Sequence, residues 1–221
     1  MQELAWYKKV IGYIYPITVQ KQANSKHSKL RIKYYQGQYQ LESGGALYSD
    51  GYRYSPFRLG YAYLQKQKTL QKTKTFLLLG SGLGSALIRL QKVYNLYPET
   101  TLVEYDADII EFSKIYLLNN QQNNIQFIKQ DAQDYLSKTS EKFDLIGIDL
   151  FKDLENSVLI NQTNFWSEIK NRSTSKTNII LNTIFMEKSI RNDFEKLLAK
   201  DFTFHRLDQK PNYIYMLKVK T

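Results

Sequence analysis

Apolar residues form five short, almost continuous runs in the last two thirds of the chain. The stretches between these runs are each long enough for one helix. Near-continuous apolar runs are typical of parallel strands that helices cover on both faces. The pattern therefore predicts an α/β fold with a doubly wound, mostly parallel sheet. The runs are TFLLLG (75–80), TLVEYD (101–106), IQFIKQD (125–131), FDLIGIDL (143–150) and NIILNTIF (178–185).

Two further strand-like runs follow, and their spacing predicts a different pairing. FTFHRLD and YIYMLKVK are joined by QKPN, a link too short to hold a crossover helix. Strands joined by so short a link pair antiparallel. We therefore expect the sheet to end in a hairpin.

The first third of the chain has a different pattern. Between residues 30 and 54, short alternating segments are broken at Gly37, at Gly44-Gly45 and at Asp50-Gly51. Such a pattern predicts two or three short antiparallel strands. A helix is expected from Pro56 to about Gln67, with proline in its first turn. We thus divide the chain into a small β region, 1–74, and an α/β domain, 75–221.

Positive charge and tyrosine are concentrated in the same first third. The net charge is +10, and residues 1–74 hold 13 Lys/Arg against 3 Asp/Glu together with 11 of the 18 tyrosines. Basic residues interleaved with aromatic rings suit a nucleic-acid surface, because cations neutralise phosphates and rings stack on bases. The alternative is a solvated, lysine-rich hairpin whose tyrosines pack against the main domain. The sequence leaves both interpretations open.

Composition excludes some other classes of site. The chain has no cysteine and two histidines, His27 and His205, so we expect neither disulfides nor a structural metal. Apolar patches near residue 10 are interrupted by Glu3, Lys8 and Lys9, and no run approaches the roughly 18 apolar residues that span a bilayer. We therefore expect a soluble, cytoplasmic protein without a membrane partner.

Glycine and acidic residues mark the ends of the predicted strands. The segment FLLLGSGLGSALIRL places Gly80, Gly82 and Gly84 between a strand and a helix, an arrangement that lets backbone approach a ligand closely. Glu104 follows Gly84 by 20 residues, the spacing at which a carboxylate accepts both hydroxyls of a ribose. Any one strand-end acid could instead cap the next helix. Asp106 ends the same run as Glu104, and the next two strands end at Asp131 and Asp149.

The charge of these groups narrows the class of ligand. Carboxylates accept hydrogen bonds from hydroxyls and amines but repel a pyrophosphate. A phosphate-rich dinucleotide is therefore disfavoured, whereas a cationic ligand without phosphate fits.

These motifs resemble, in order and spacing, those of S-adenosylmethionine-dependent methyltransferase-fold proteins, most closely the spermidine synthase group. The resemblance implies a seven-stranded class I methyltransferase sheet, Rossmann-like, with the last strand antiparallel, behind a small N-terminal β domain. It implies S-adenosylmethionine, or a decarboxylated or thioadenosine relative, as the ligand. It also implies Asp149 as the catalytic proton acceptor. The implied ligand-binding residues are Gly80, Ser81, Gly82 and Gly84 in the loop, Glu104 and Tyr105 at the ribose, and Asp131 and Ala132 at the adenine.

The chain also departs from that group. Leu83 stands where spermidine synthases usually carry an acid in the glycine loop, and DLFKD replaces their Asp-Ser-Ser/Thr-Asp-Pro, which displaces Asp153. Upstream, Tyr48, Asp50 and Tyr54 occur in shifted register. A polyamine needs several carboxylates and is repelled by a basic region, so these departures disfavour polyamine synthesis.

We therefore expect an adenosylmethionine-dependent transferase, moving a methyl or related alkyl group to a small-molecule acceptor that the sequence does not identify. Two alternatives stay open. One is a nucleic-acid methyltransferase that uses the basic first third, and the other is an adenosyl-binding module without catalysis. A homodimer is also left open.

Overall fold

The computed structural model describes residues 4–21, 30–43, 46–117, 124–152, 155–184 and 186–220. Its N-terminal region contains a four-stranded antiparallel sheet in the order β1-β2-β3-β4. A short helix precedes this sheet and a longer one follows it. The elements are α1 (Trp6–Ile11), β1 (Ile17–Lys21), β2 (Arg31–Tyr35), β3 (Gln38–Ser43), β4 (Ala46–Asp50) and α2 (Ser55–Lys66).

The N-terminal prediction was right in type but incomplete. The turn at Gly37 joins β2 to β3, with positive φ at both Gln36 and Gly37. Strand β1 was missed, although its residues alternate between apolar and polar. Gly51 begins a 3-10 turn that leads into α2 instead of a hairpin. The turn predicted at 44–45 lies outside the described residues.

The central sheet has seven strands in the order β12-β13-β11-β8-β5-β6-β7. Strand β13 is antiparallel to both of its neighbours, and the pairs β11-β8, β8-β5, β5-β6 and β6-β7 are parallel. The predicted class I methyltransferase-like fold and its terminal hairpin are thus confirmed. The elements are β5 (Thr75–Leu79), α3 (Ser85–Tyr94), β6 (Glu99–Glu104), α4 (Ala107–Leu117), β7 (Ile125–Lys129), α5 (Ala132–Lys138), β8 (Leu145–Ile148), the short pair β9 (Phe151–Lys152) and β10 (Glu155–Asn156), α6 (Thr163–Asn171), β11 (Asn178–Ile184), α7 (Lys188–Leu198), β12 (Phe202–Gln209) and β13 (Asn212–Val219).

Each face of this sheet has its own apolar core. On one face, Phe165 and Trp166 of α6 are fully buried, as expected for large aromatics at those positions. On the other face, α2 packs Phe57 and Tyr61 against the sheet. Helix α2 therefore shares a core with the large sheet, although the sequence assigns it to the region 1–74. The boundary at residue 74 stays a prediction.

A third apolar cluster joins the N-terminal sheet to the glycine loop. Leu83 is buried there among residues such as Ile32 and Leu41. The Leu83 N–H donates to Ser49 Oγ at 2.8 Å, and the Asp50 N–H donates to Ser85 Oγ at 3.1 Å. The N-terminal sheet is thereby hydrogen-bonded directly to the glycine loop and to the start of the helix that follows it.

The order of the strands fixes where a ligand can bind. From β5 the chain first builds the sheet outward through β6 and β7, and it then returns to add β8 on the other side. In open α/β sheets, ligands bind outside the carboxyl ends of the strands at such a switch point. Within the described residues, no helix is both long and apolar enough to cross a bilayer.

Candidate active site

The glycine loop begins where β5 ends. Gly80 has a φ of +76°, which disfavours other residues. A Cβ on Gly80 would also overlap the carbonyl oxygen of Asp149. Gly80 therefore lets the ends of β5 and β8 approach each other, and this contact brings Asp149 beside the loop.

Glu104 ends β6 and lies against the same loop. Its Oε2 accepts the Gly82 N–H at 3.3 Å, and its Oε1 accepts the N–H groups of Tyr105 at 3.0 Å and Asp106 at 3.3 Å. Burial raises the pKa of Glu104 to about 7, although these three hydrogen bonds oppose the shift. A carboxylate has about four acceptor positions. Glu104 can therefore still accept a hydroxyl of a ribose.

Two of the four strand-end acids also act as helix caps. Asp131 precedes α5, and its Oδ1 accepts the N–H groups of Gln133 at 2.8 Å and Asp134 at 3.4 Å. Asp106 Oδ1 accepts the Asp108 N–H at 2.8 Å. The capping alternative thus applies to both, but Oδ2 of Asp131 takes no part in its cap.

A pocket of about 200 Å³ lies at this switch point. It brings together five of the predicted ligand-binding residues, while Ser81, Gly82 and Gly84 do not line it. Among the described residues that line it, none is Lys, Arg or His, so it offers no cation to a phosphate. The pocket therefore fits an uncharged or cationic nucleoside. The lining residues are Gly80, Val103, Glu104, Tyr105, Gln130, Asp131, Ala132, Leu150, Phe151, Ser157 and Leu159.

Asp149 follows β8 and is held by two side chains. It does not itself line the pocket, but it adjoins Gly80 and Leu150, which do. Its Oδ1 accepts Asn182 Nδ2 at 2.8 Å and the Tyr54 hydroxyl at 3.2 Å. Burial raises the pKa of Asp149 to about 6, and the bonds from Asn182 and then Tyr54 oppose that shift. Asp149 is thus mainly ionised at neutral pH and can accept a proton there.

Sequence reasoning missed part of this cluster. Asn182 lies on β11, and its Oδ1 accepts Asn212 Nδ2 at 2.9 Å from β13. The one available signal was a polar Asn inside the apolar run NIILNTIF. Tyr54 was noted, but its register was taken as shifted, whereas the fold places its hydroxyl on Asp149. Because these contacts cross between distant segments, no local spacing reveals them.

A metal site is a separate question. Within the described ranges, no group of three or more His, Cys, Asp and Glu is arranged to hold a metal ion. The acids of the site are instead engaged by backbone N–H groups and by Tyr54 and Asn182.

The fold and the pocket together define a class: a Rossmann-like α/β domain with a pocket at the carboxyl ends of its parallel strands. Residues 65–200 match the Spermine/spermidine synthase domain, so the chain belongs to that family. Polyamine aminopropyltransferase 2 from Aquifex aeolicus is 33% identical over 113 residues, which cover 47% of this chain and 22% of that protein. The alignment thus spans well under half of this relative.

Solved structures agree on the fold. A probable spermidine synthase from Corynebacterium glutamicum superposes with a TM-score of 0.71 at 14% identity, covering 94% of this chain and 81% of the other. Human methyltransferase-like protein 13, solved in complex with SAH, gives a TM-score of 0.62 at 16% identity, covering 73% of this chain and 80% of the other. At such identities the likeness supports the fold alone.

Proposed function

We propose that this chain transfers an aminopropyl group from decarboxylated adenosylmethionine to an amine, with Asp149 taking the proton. The observation that carries the proposal is the Asp149 carboxylate, fixed by Tyr54 and Asn182 beside the pocket. The family and the aminopropyltransferase relative support the same reaction class. The sequence departures that disfavoured a polyamine concern residues that would bind the acceptor. The transfer step itself needs only one proton acceptor, and Asp149 supplies it. We therefore give the family and the relative more weight than those departures.

The pocket residues take the roles that their chemistry allows. Glu104 accepts the ribose hydroxyls, while Asp131 and Ala132 meet the adenine through a carboxylate oxygen and a backbone N–H. The glycine loop leaves room for the remainder of the donor. When bound, the donor supplies a carbon activated by a sulfonium, from which a neutral thioether leaves.

Asp149 interacts with the acceptor amine. An amine is mostly protonated at neutral pH, and its ammonium form is attracted to the ionised carboxylate. The ammonium first gives one proton to the Asp149 carboxylate. The lone pair that this frees on nitrogen then forms the carbon–nitrogen bond as the carbon–sulfur bond breaks, and the neutral thioether leaves. Tyr54 and Asn182 act as positioning residues, since both donate to the same carboxylate oxygen and leave Oδ2 for the amine.

Methyl transfer from adenosylmethionine itself is the second candidate, and Leu83 is the observation that favours it. The Leu83 side chain is buried against the N-terminal sheet, so the glycine loop presents no acid at that position. An acid there would repel the carboxylate of adenosylmethionine, and its replacement removes that repulsion.

The experiment compares donors first and acceptors second. Calorimetric titrations with adenosylmethionine, its decarboxylated form and methylthioadenosine test the pocket, and mass spectrometry of a panel of amines tests transfer. We expect binding of the decarboxylated donor and an amine that gains an aminopropyl group. A product that gains a methyl group would favour the second candidate, and binding without any product would indicate a module without catalysis.

Asp149→Asn separates binding from chemistry. We expect donor affinity within about twofold of the wild type and a transfer rate lower by about a hundredfold or more, the usual contribution of a positioned proton acceptor. The matched control is Asp134→Asn, an exposed acid on α5, which should change neither. Wild-type turnover by Asp149→Asn would contradict the assigned role.

A further inference from the structure

The segment 6–15, which comprises α1 and the four residues after it, carries an unusual amount of exposed apolar surface. Trp6 is 77% exposed, Val10 58% and Ile14 67%. None of the residues of α1 is buried. Large contiguous apolar patches on a protein surface mark a site of interaction. The exposed large apolar residues of the segment are Trp6, Tyr7, Val10, Ile11, Tyr13, Ile14 and Tyr15.

The apolar face of α1 points away from the protein. At about 100° per residue, Trp6, Tyr7, Val10 and Ile11 fall within an arc of roughly 140°. The opposite side carries Gly12, which is buried: a Cβ there would meet the ring of Tyr34, and its carbonyl oxygen accepts the Gln36 N–H at 2.8 Å. An ordinary surface helix turns its apolar side toward the core, whereas α1 turns its apolar side toward the solvent.

Charge narrows the choice of partner. Lys8 and Lys9 flank the apolar arc on its two sides, and residues 4–21 contain no Asp or Glu. Two copies of this chain packed face to face would bring like charges together, which opposes a homodimer through this surface. A nucleic acid would satisfy the lysines and stack on the rings, but it offers nothing to Val10, Ile11 and Ile14. The partner must be anionic and apolar at once.

We propose that the segment 6–15 binds the surface of a bilayer that contains anionic lipids. The apolar arc of α1 enters the boundary between headgroups and acyl chains, and Lys8 and Lys9 reach the lipid phosphates beside it. Trp and Tyr are the residues enriched at that depth. This attachment is peripheral and independent of the transfer reaction. It differs from the sequence expectation of no membrane partner.

The two tryptophans provide a direct test. Trp6 is 77% exposed whereas Trp166 is 2% exposed, so a blue shift of the emission on adding vesicles reports Trp6. We expect the full chain to co-sediment with vesicles of phosphatidylglycerol and phosphatidylcholine, with a blue shift, and to bind pure phosphatidylcholine far more weakly. Trp6→Phe should keep the binding and lose the shift.

Charge variants give the matched comparison. Each lysine near an anionic surface contributes about fivefold in affinity, so Lys8→Gln with Lys9→Gln should weaken vesicle binding by roughly 25-fold. Lys138→Gln with Lys142→Gln removes the same charge from an exposed surface elsewhere and should leave binding nearly unchanged. Because all four side chains lie at the surface, thermal unfolding should be unaltered in both double variants.

Several outcomes would overturn the proposal. The first is that the protein does not bind anionic vesicles, and the second is that both double variants lose vesicle affinity equally. The third is a Trp6-dependent dimer in sedimentation without vesicle binding. The fourth is that an RNA oligonucleotide binds more tightly than the vesicles. The dimer would assign the surface to a second copy, and the RNA result would assign it to a nucleic acid.

Discussion

The two halves of the candidate site are built in different ways. The adenosyl half, which we propose binds the donor, consists of the ends of β5, β6 and β7 and the turns that follow them. Much of its hydrogen bonding uses backbone N–H groups. The acceptor half, which we propose meets the acceptor amine, is a cluster of four side chains from four distant segments: Tyr54, Asp149, Asn182 and Asn212. The first half is thus formed by turns whose residues are close together in the sequence. The second half depends on contacts between distant segments, which only the tertiary structure creates.

The largest expected effect comes from Gly80, where the two halves meet. In Gly80→Ala the added Cβ would overlap the Asp149 carbonyl oxygen at a backbone φ of +76°. We expect the free energy of unfolding to fall by about 3 kcal/mol and the affinity for methylthioadenosine to fall by more than about a hundredfold. Urea unfolding and calorimetry measure the two effects.

The control for this substitution is Gly37→Ala, which has the same φ of +76° but lies in the N-terminal sheet. It should lower stability and leave the affinity unchanged. If Gly80→Ala bound the nucleoside as well as the wild type, the contact between the halves would have no role in binding.

Glu104→Gln should affect the adenosyl half alone. The variant loses charge-assisted bonds to the ribose and places an amide near N–H donors, so the affinity should fall by more than about tenfold, or about 1.5–3 kcal/mol. Glu99→Gln, an exposed position at the start of the same strand, serves as the control. Calorimetry showing equal affinities in the two variants would refute the ribose assignment.

The pKa of Glu104 adds a pH dependence with a defined sign. The folded protein raises this pKa from 4.5 to about 7, so over that interval the folded state binds more protons than the unfolded state. The contribution of Glu104 to stability is therefore fully present below pH 4.5 and is lost as the pH rises through about 7. Urea unfolding across this range should show a decline that is smaller in Glu104→Gln. An identical slope in both proteins would mean that Glu104 titrates normally.

The contrast between the halves also explains what the sequence could predict. The five apolar runs, the glycine loop and the acids Glu104 and Asp131 are local features, and their positions in the fold follow from parallel strands ending at one edge. Nothing in the sequence distinguishes Asn182 and Asn212 from other polar residues, because only the pairing of β11 with β13 brings their amides together. Strand β1 was missed for a smaller reason, since a single short alternating run is a weak signal without its partner strand.

Asn182→Ala tests the acceptor half. Its hydrogen bond is the stronger of the two that lower the pKa of Asp149, so its loss should raise that pKa above about 6 and leave more of the carboxyl protonated at neutral pH. We expect transfer at neutral pH to fall by about tenfold and to recover at higher pH. A ¹³C NMR titration of the Asp149 carboxyl, assigned with Asp149→Asn, measures the shift directly.

Asn156→Ala is the matched control for Asn182→Ala. Asn156 bonds the backbone of Ile184 near the end of the same strand, without touching Asp149. It should lower stability while leaving the Asp149 pKa in place. A similar pKa shift in both variants would show that Asn182 acts through the strand and not through its amide.

Tyr54→Phe should give the smallest effect of the series. Burial and the nearby Asp149 raise the pKa of Tyr54 well above its usual value, so its hydroxyl stays protonated and donates. Its bond to Asp149, 3.2 Å, is longer than the 2.8 Å bond from Asn182, and the ring contact with Phe57 survives the substitution. We expect the Asp149 pKa to rise less than in Asn182→Ala and transfer to fall by about fivefold. Tyr63→Phe, on α2 beside His205, should change neither quantity. If the NMR titration gave a larger shift for Tyr54→Phe than for Asn182→Ala, the ranking of the two positioning residues would be reversed, and the N-terminal region would contribute the main control of Asp149.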